Sequence, residues 1–150
     1  EMCIRDRMPD INELKVHGAY AQTELGHGTN IQGIETTATF DPKTDTIILN
    51  SPTISSYKFW PGELGFHANF PIVVAWLIVN GEDKGVQTFI AWIRDKDHKP
   101  LPGIEVGDIG NKFGFNMKDN GFLGFKNFRI PRENMLMWFA WLDKDGTFKV

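Results

Sequence analysis

From Ile34 onward, turn residues cut the chain into short apolar segments, a spacing that leaves little room for anything but β-structure. Ile34, Thr36, Ala38 and Phe40 alternate with Glu35, Thr37 and Thr39, the period-two pattern of a strand with one buried face. Asp41-Pro42-Lys43-Thr44-Asp45 follows as a turn, because Pro42 fixes φ and the aspartates can bond nearby backbone. Thr46 to Leu49 is expected to pair back as a hairpin, and Ile54 to Phe59 reads as a third strand. Ile72 to Asn80 and Val86 to Arg94 flank a five-residue hairpin loop, Gly81 to Gly85. Gly103 to Ile109 is a short extended piece after Pro100-Leu101-Pro102. Asn120-Gly121 is a turn dipeptide ahead of a strand from Phe122 to Ile130. The apolar alternation of that strand slips at Lys126-Asn127, where a β-bulge would restore a common face.

These segments predict an all-β fold, an antiparallel six- to seven-stranded β-barrel or sandwich with short non-β tails. With 150 residues, 41% of them hydrophobic, the chain can bury one core, so a single domain is expected. The first seven residues, EMCIRDR, hold the only cysteine, have no clear period and read either as a short helix end or as a translated adapter or cloning scar. Met135 to Leu142 is too apolar and aromatic to stand alone in water and is expected to pack on a neighbour.

A net charge of -3 with scattered basic side chains argues against nucleic-acid binding. The longest apolar run, Ile72 to Val79, falls well short of the roughly 20 residues a membrane helix needs. The four histidines, His17, His27, His67 and His98, make no i, i+4 pair, so no metal site is expected. Asp143-Lys144-Asp145-Gly146 has the start of a calcium loop without its remaining ligands and reads as a turn. There is no phosphate-binding Walker sequence, and Gly26-His27-Gly28 is followed by a strand pattern where a dinucleotide fingerprint needs a helix.

Two segments remain as candidates for chemistry. Tyr20 to Asn30, YAQTELGHGTN, places Thr23, Glu24, His27 and Thr29 around Gly26 and Gly28, which permit turns and close backbone approach. Such a loop can meet a polar ligand or serve as a surface turn. Ser55 to Gly62, SSYKFWPG, offers the flat face of Trp60, a stiff Pro61, and Gly62, whose N–H could come close to a ligand. Trp60 could equally be a core or strand-end aromatic, with Pro61-Gly62 a turn. Antiparallel strands return to one end of a barrel, so the two segments could meet.

YAQTELGHGT, the pair SPT and KFWPGELG, and the tail KPLPGIEVGDIGNKFGFNMKDNGFLGFKNFRIPRENML together resemble the middle domain of peroxisomal acyl-CoA oxidases, of the flavin-dependent acyl-CoA dehydrogenase superfamily. The resemblance runs from about Gly18 to Val150 with the motifs in family order. It implies a β-barrel set between two helical domains, with FAD between the barrel and the C-terminal bundle. It divides the chain into a tail (1–17), the barrel (18–134) and the start of a linker to a further helical domain (135–150).

Residue by residue, the resemblance makes Thr23 the flavin-contacting threonine, Gly62 the flavin-contacting glycine and Trp60 the tryptophan beside the ring system. The implied reaction is α,β-dehydrogenation of a fatty acyl-CoA to the trans-2-enoyl-CoA, with O2 reduced to hydrogen peroxide, in a peroxisomal homodimer. The family's catalytic glutamate lies in the C-terminal domain, so none of Glu24, Glu35, Glu63 or Glu133 takes that role, and the chain alone is expected to be inactive. The alternatives are a dehydrogenase passing electrons to a flavoprotein and a non-catalytic β-barrel interaction module. TELGHG and FWPG favour the oxidase, since the dehydrogenases typically carry a threonine-glutamate-proline loop and a tryptophan-isoleucine-threonine segment.

Overall fold

The structure, a computed structural model, describes residues 8–150. The reading of residues 1–7 as a helix end or a scar lies outside the described residues. After one helical turn at residues 8–12, the chain is built from β-strands linked by loops and short 3-10 turns. The strands are β1 (Gly18–Ala21), β2 (Thr37–Asp41), β3 (Thr46–Asn50), β4 (Lys58–Gly62), β5 (Phe70–Val79), β6 (Glu82–Ile90), β7 (Ile104–Asp108), β8 (Asn120–Phe125), β9 (Phe128–Pro131), β10 (Trp141–Leu142) and β11 (Phe148–Lys149).

The all-β class is observed. The larger sheet runs β1-β5-β2-β3-β9, with β6 on the other side of β5; the smaller is β4-β8-β7; β10 and β11 form a separate hairpin. Two pairings are parallel. β5 is long enough to take β1 along its first half, Gly18↔Phe70 to Ala21↔Val73, and β2 along its second, Thr37↔Trp76 to Thr39↔Ile78. Parallel neighbours need a long connection. The loop from Gln22 to Thr36, which holds most of the first candidate segment, joins β1 to β2, two short strands that lie end to end along one edge of β5.

Period two is realised where the alternation is cleanest. In β2, Ala38 and Phe40 point inward, and in β3 so do Ile47 and Leu49, with Ala38↔Leu49 and Phe40↔Ile47 paired across the hairpin. Val73, Ala75, Leu77 and Val79 of β5 complete that face of the core. Leu123 and Phe125 of β8 reach it from the smaller sheet. Each of the Val, Leu, Ile and Phe side chains among them contributes roughly 1.5–3 kcal/mol by leaving water.

Four local readings are corrected. Ile54–Ser56 is a 3-10 turn, held by a capping box between Thr53 and Ser56, so the third strand starts at Lys58. The β5–β6 loop is the dipeptide Asn80-Gly81, both at positive φ, and the register shift past Trp76 absorbs the one extra residue at Lys84-Gly85. Asn120-Gly121 is no turn but the start of β8. Finally, Lys126-Asn127 is not a bulge. The chain changes sheets there, with Asn127 at φ +48, so β8 pairs with β4 and β7 while β9 pairs with β3. The slipped alternation marks a corner at which the buried face passes to another sheet.

Residues 135–142 divide their apolar groups. Met135, Ala140 and Leu142 enter the core of this chain, while Trp138, Phe139 and Trp141 face outward. Asp143 to Gly146 is the turn of the β10–β11 hairpin, closed by Gly146 N–H to the Asp143 carbonyl.

Candidate functional site

The two candidate segments lie side by side. The Phe59 N–H donates to the carbonyl of Thr23, the Leu25 N–H to that of Tyr57, and the Gly26 N–H to that of Ser55, each at 2.9 Å. Glu24 and Lys58 thereby form a single antiparallel bridge. Gly26 packs so closely that a Cβ there would stand 2.9 Å from the Ser55 Cβ. Gly28 has nothing within 4 Å of such an atom, so only the first glycine of the loop is required by close approach.

The bridge places Thr23 opposite Phe59, one residue before Trp60. Trp60 adopts φ +86, a backbone region that bulky L-residues rarely occupy. The distortion has a cause. β4 and β8 lose register between Phe59 and Gly62, and the Asn120 side-chain amide donates to the Trp60 carbonyl at 2.7 Å. The indole turns outward, 51% exposed, and rests edge-on against Phe59 with ring centroids 6.4 Å apart. The core-aromatic reading of Trp60 is therefore set aside. Gly62 follows two residues on, where a Cβ would stand 3.1 Å from Cε of Lys118. Thr23 is half-buried.

Beneath this surface lies a pair that composition and motif left unnoticed. Glu24 and Lys58 are fully buried, with Oε1 and Nζ 2.9 Å apart. Lys58 also donates to the carbonyls of Gln22 (3.2 Å) and Val74 (2.6 Å), occupying all three ammonium protons. Glu24 accepts from the N–H of Glu35 (2.8 Å), the N–H of Thr36 (3.0 Å) and the Thr36 hydroxyl (2.5 Å). Burial pulls the Lys58 ammonium below its ordinary pKa, and the adjacent carboxylate opposes that shift. The available signal was a lone charge inside an aromatic run, Tyr57-Lys58-Phe59.

A second carboxylate ties the outer side of the loop. Glu35 accepts from the Thr53 and Ser55 hydroxyls and contacts Nε2 of His27 at 2.9 Å. These bonds, Thr53 first, lower its carboxyl from 4.5 to about 2. Past Gly62, the turn that ends the motif is held from two sides. Arg94 donates to the carbonyls of Leu64, Gly65 and Ala68, and Asp119 accepts the N–H groups of Gly65, Phe66 and His67.

Among the described residues, one grouping has the chemistry of a metal site: Glu63, His67 and Asp119, with ligand atoms within 4.8 Å of one another. Its groups are already engaged. Nδ1 of His67 lies 2.8 Å from Asp119, whose oxygens also serve the three N–H groups, and Glu63 is paired with Lys118. Burial would raise the Asp119 carboxyl, but these bonds outweigh it and hold it below the ordinary value. The grouping works as a turn clamp, and no helix among the described residues is long and apolar enough to cross a membrane.

The exposed indole of Trp60 thus follows the strand position opposite the half-buried Thr23, and Gly62 lies just beyond the register shift. No family profile matches the chain. It is 58% identical over 137 residues to peroxisomal acyl-coenzyme A oxidase 1 of Rattus norvegicus, covering 91% of this chain and 21% of that protein. The structure of Arabidopsis thaliana acyl-CoA oxidase 1 superposes with a TM-score of 0.94 at 48% identity, over 97% of this chain and 23% of the other. Acyl-CoA oxidase-2 of Caenorhabditis elegans, solved with FAD, ascaroside-CoA and ATP bound, superposes with a TM-score of 0.96 at 41% identity, over 99% and 23%. The chain thus spans about a fifth of the length of the curated relatives it matches.

Proposed function

This chain belongs to the acyl-CoA oxidase family, and from that premise we propose that it forms the flavin-facing β-domain of an FAD-dependent oxidase acting on fatty acyl-CoA thioesters. The observation that carries the reading is the bridge that sets Thr23 opposite Phe59, next to an outward indole at φ +86. Strained backbone persists only where surrounding structure enforces it, and it concentrates at ligand sites.

In this reading Thr23 hydrogen-bonds an edge of the flavin through its hydroxyl, which can donate and accept. The N–H of Gly62 approaches a ring heteroatom, and Trp60 walls one side of the ring system. When bound, FAD would accept the β-hydride of the thioester and pass the electrons to O2, giving hydrogen peroxide and the trans-2-enoyl-CoA. The carboxylate that takes the α-proton is assigned, as the family resemblance implies, to the C-terminal domain of the full-length protein; Glu24, Glu35 and Glu63 are engaged within this chain. A peroxisomal, homodimeric full-length enzyme completes the reading, and the isolated chain is assigned neither tight FAD binding nor turnover.

The test is flavin content and peroxide release from the full-length protein carrying this segment. The wild type is expected to copurify with FAD and to release hydrogen peroxide with a fatty acyl-CoA. Thr23→Val and Gly62→Ala should each lose flavin more readily. The Gly62→Ala fold should survive within about 0.5 kcal/mol, since the group in the way is the flexible end of Lys118. Unchanged flavin retention in both variants overturns the residue assignment. Substrate-dependent flavin reduction without peroxide would point to the dehydrogenase, and absence of flavin to a non-catalytic module.

A further inference from the structure

Glu24 directly follows Thr23 in the chain, and its buried carboxylate meets the buried Lys58 ammonium. Burying two charges costs free energy that their attraction rarely recovers in full, and a well-packed apolar pair of similar volume is often as stable or more so. What an apolar pair cannot supply is direction. The ammonium of Lys58 grips the carbonyl of Gln22 and the carboxylate of Glu24, the two residues that bracket Thr23. Its own main chain stands two residues before Trp60, in β4 of the smaller sheet. Its third bond runs to Val74 in β5 of the larger sheet. Glu24 fixes the same point to Glu35 and Thr36, at the far end of the loop. A slip of the loop by one residue along β4 would break the Lys58 bonds to Gln22 and Glu24 together, while Val74 keeps the ammonium in place.

We propose that the buried Glu24–Lys58 pair is a positioning device that fixes the height and register of Thr23 against Trp60 and Gly62, and so orients the flavin-contacting surface. This rests on the reading of that surface as the flavin site. Neither residue touches the ring; both act through Thr23 and the strand that carries Trp60.

The experiment uses the full-length protein carrying this segment, with Lys58→Met and the double variant Glu24→Gln/Lys58→Met. Three quantities are read: the melting temperature of the apoprotein, the FAD dissociation constant, and the visible circular dichroism of bound flavin. Lys58→Met alone should melt well below wild type, because it leaves a buried carboxylate unpaired. The double variant should recover most of that loss, yet bind FAD about tenfold more weakly and show an altered visible dichroism. A double variant that recovers its melting temperature together with wild-type affinity and dichroism overturns the proposal. So does one that stays as unstable as the single variant, since the pair would then hold the fold rather than orient the loop. Absence of FAD binding by the wild type removes the flavin reading and this inference with it. Normal wild-type binding with an unaffected double variant removes the positioning role alone.

Discussion

The side-chain amide of Asn120 donates to the main-chain carbonyl of Trp60 at 2.7 Å, across the point where β4 and β8 lose register. This bond helps hold a bulky residue at φ +86 with its ring in solvent. A left-handed backbone costs an L-residue roughly 1–2 kcal/mol and costs glycine almost nothing. Trp60→Gly should therefore be more stable than Trp60→Ala by about 1 kcal/mol, the reverse of the order in an ordinary strand. Denaturant midpoints of the two variants check this, and equal midpoints would mean that the strain is not present in solution.

Gly121 lies where β8 passes the turn after β4, and a Cβ there would stand 2.7 Å from the carbonyl carbon of Leu64. The obstacle is backbone and cannot swing aside. Gly121→Ala should cost about 3 kcal/mol, at the upper end of overpacking penalties. At Gly62 the group in the way is a lysine side chain, so the two glycines, both in strands, should differ sharply in their tolerance of alanine. Thermal unfolding of the pair measures that difference.

Glu35 carries the acid sensitivity of the loop. Its carboxyl sits at about 2 in the folded chain, against an ordinary 4.5, chiefly because it accepts from Thr53 and then from His27 and Ser55. A carboxyl lowered on folding stabilises the fold above its ordinary value and loses that contribution as pH falls towards the folded value. The melting temperature of Glu35→Gln should lie below wild type at neutral pH, and the gap should close between pH 4.5 and about 2. A gap that persists at the acid end would show that the side chain acts by shape and not by charge.

The lesson about legibility lies in particular segments. Ala38 and Phe40 against Ile47 and Leu49 were readable because a half-buried hairpin writes its pairing into a period of two. Asn120-Gly121 was misread because its dipeptide signature is that of a turn. The same two residue types are needed here for other reasons, an amide to reach the Trp60 carbonyl and a missing Cβ to let two backbones touch. The slip at Lys126-Asn127 was visible, but whether it meant a bulge or a change of sheet depended on which strands waited on either side.

The sequence by itself determined the all-β class and the main hairpins, because turn chemistry and short-range periodicity are local properties, and it singled out the two segments that hold Thr23, Trp60 and Gly62 as candidates. The tertiary structure alone decided that β5 would hold β1 and β2 on one edge, and that Glu24 and Lys58, 34 residues apart, would meet as a buried pair. The physical reason is that a buried charge is tolerable only with its partners in place, and those partners come from strands whose order no local pattern records.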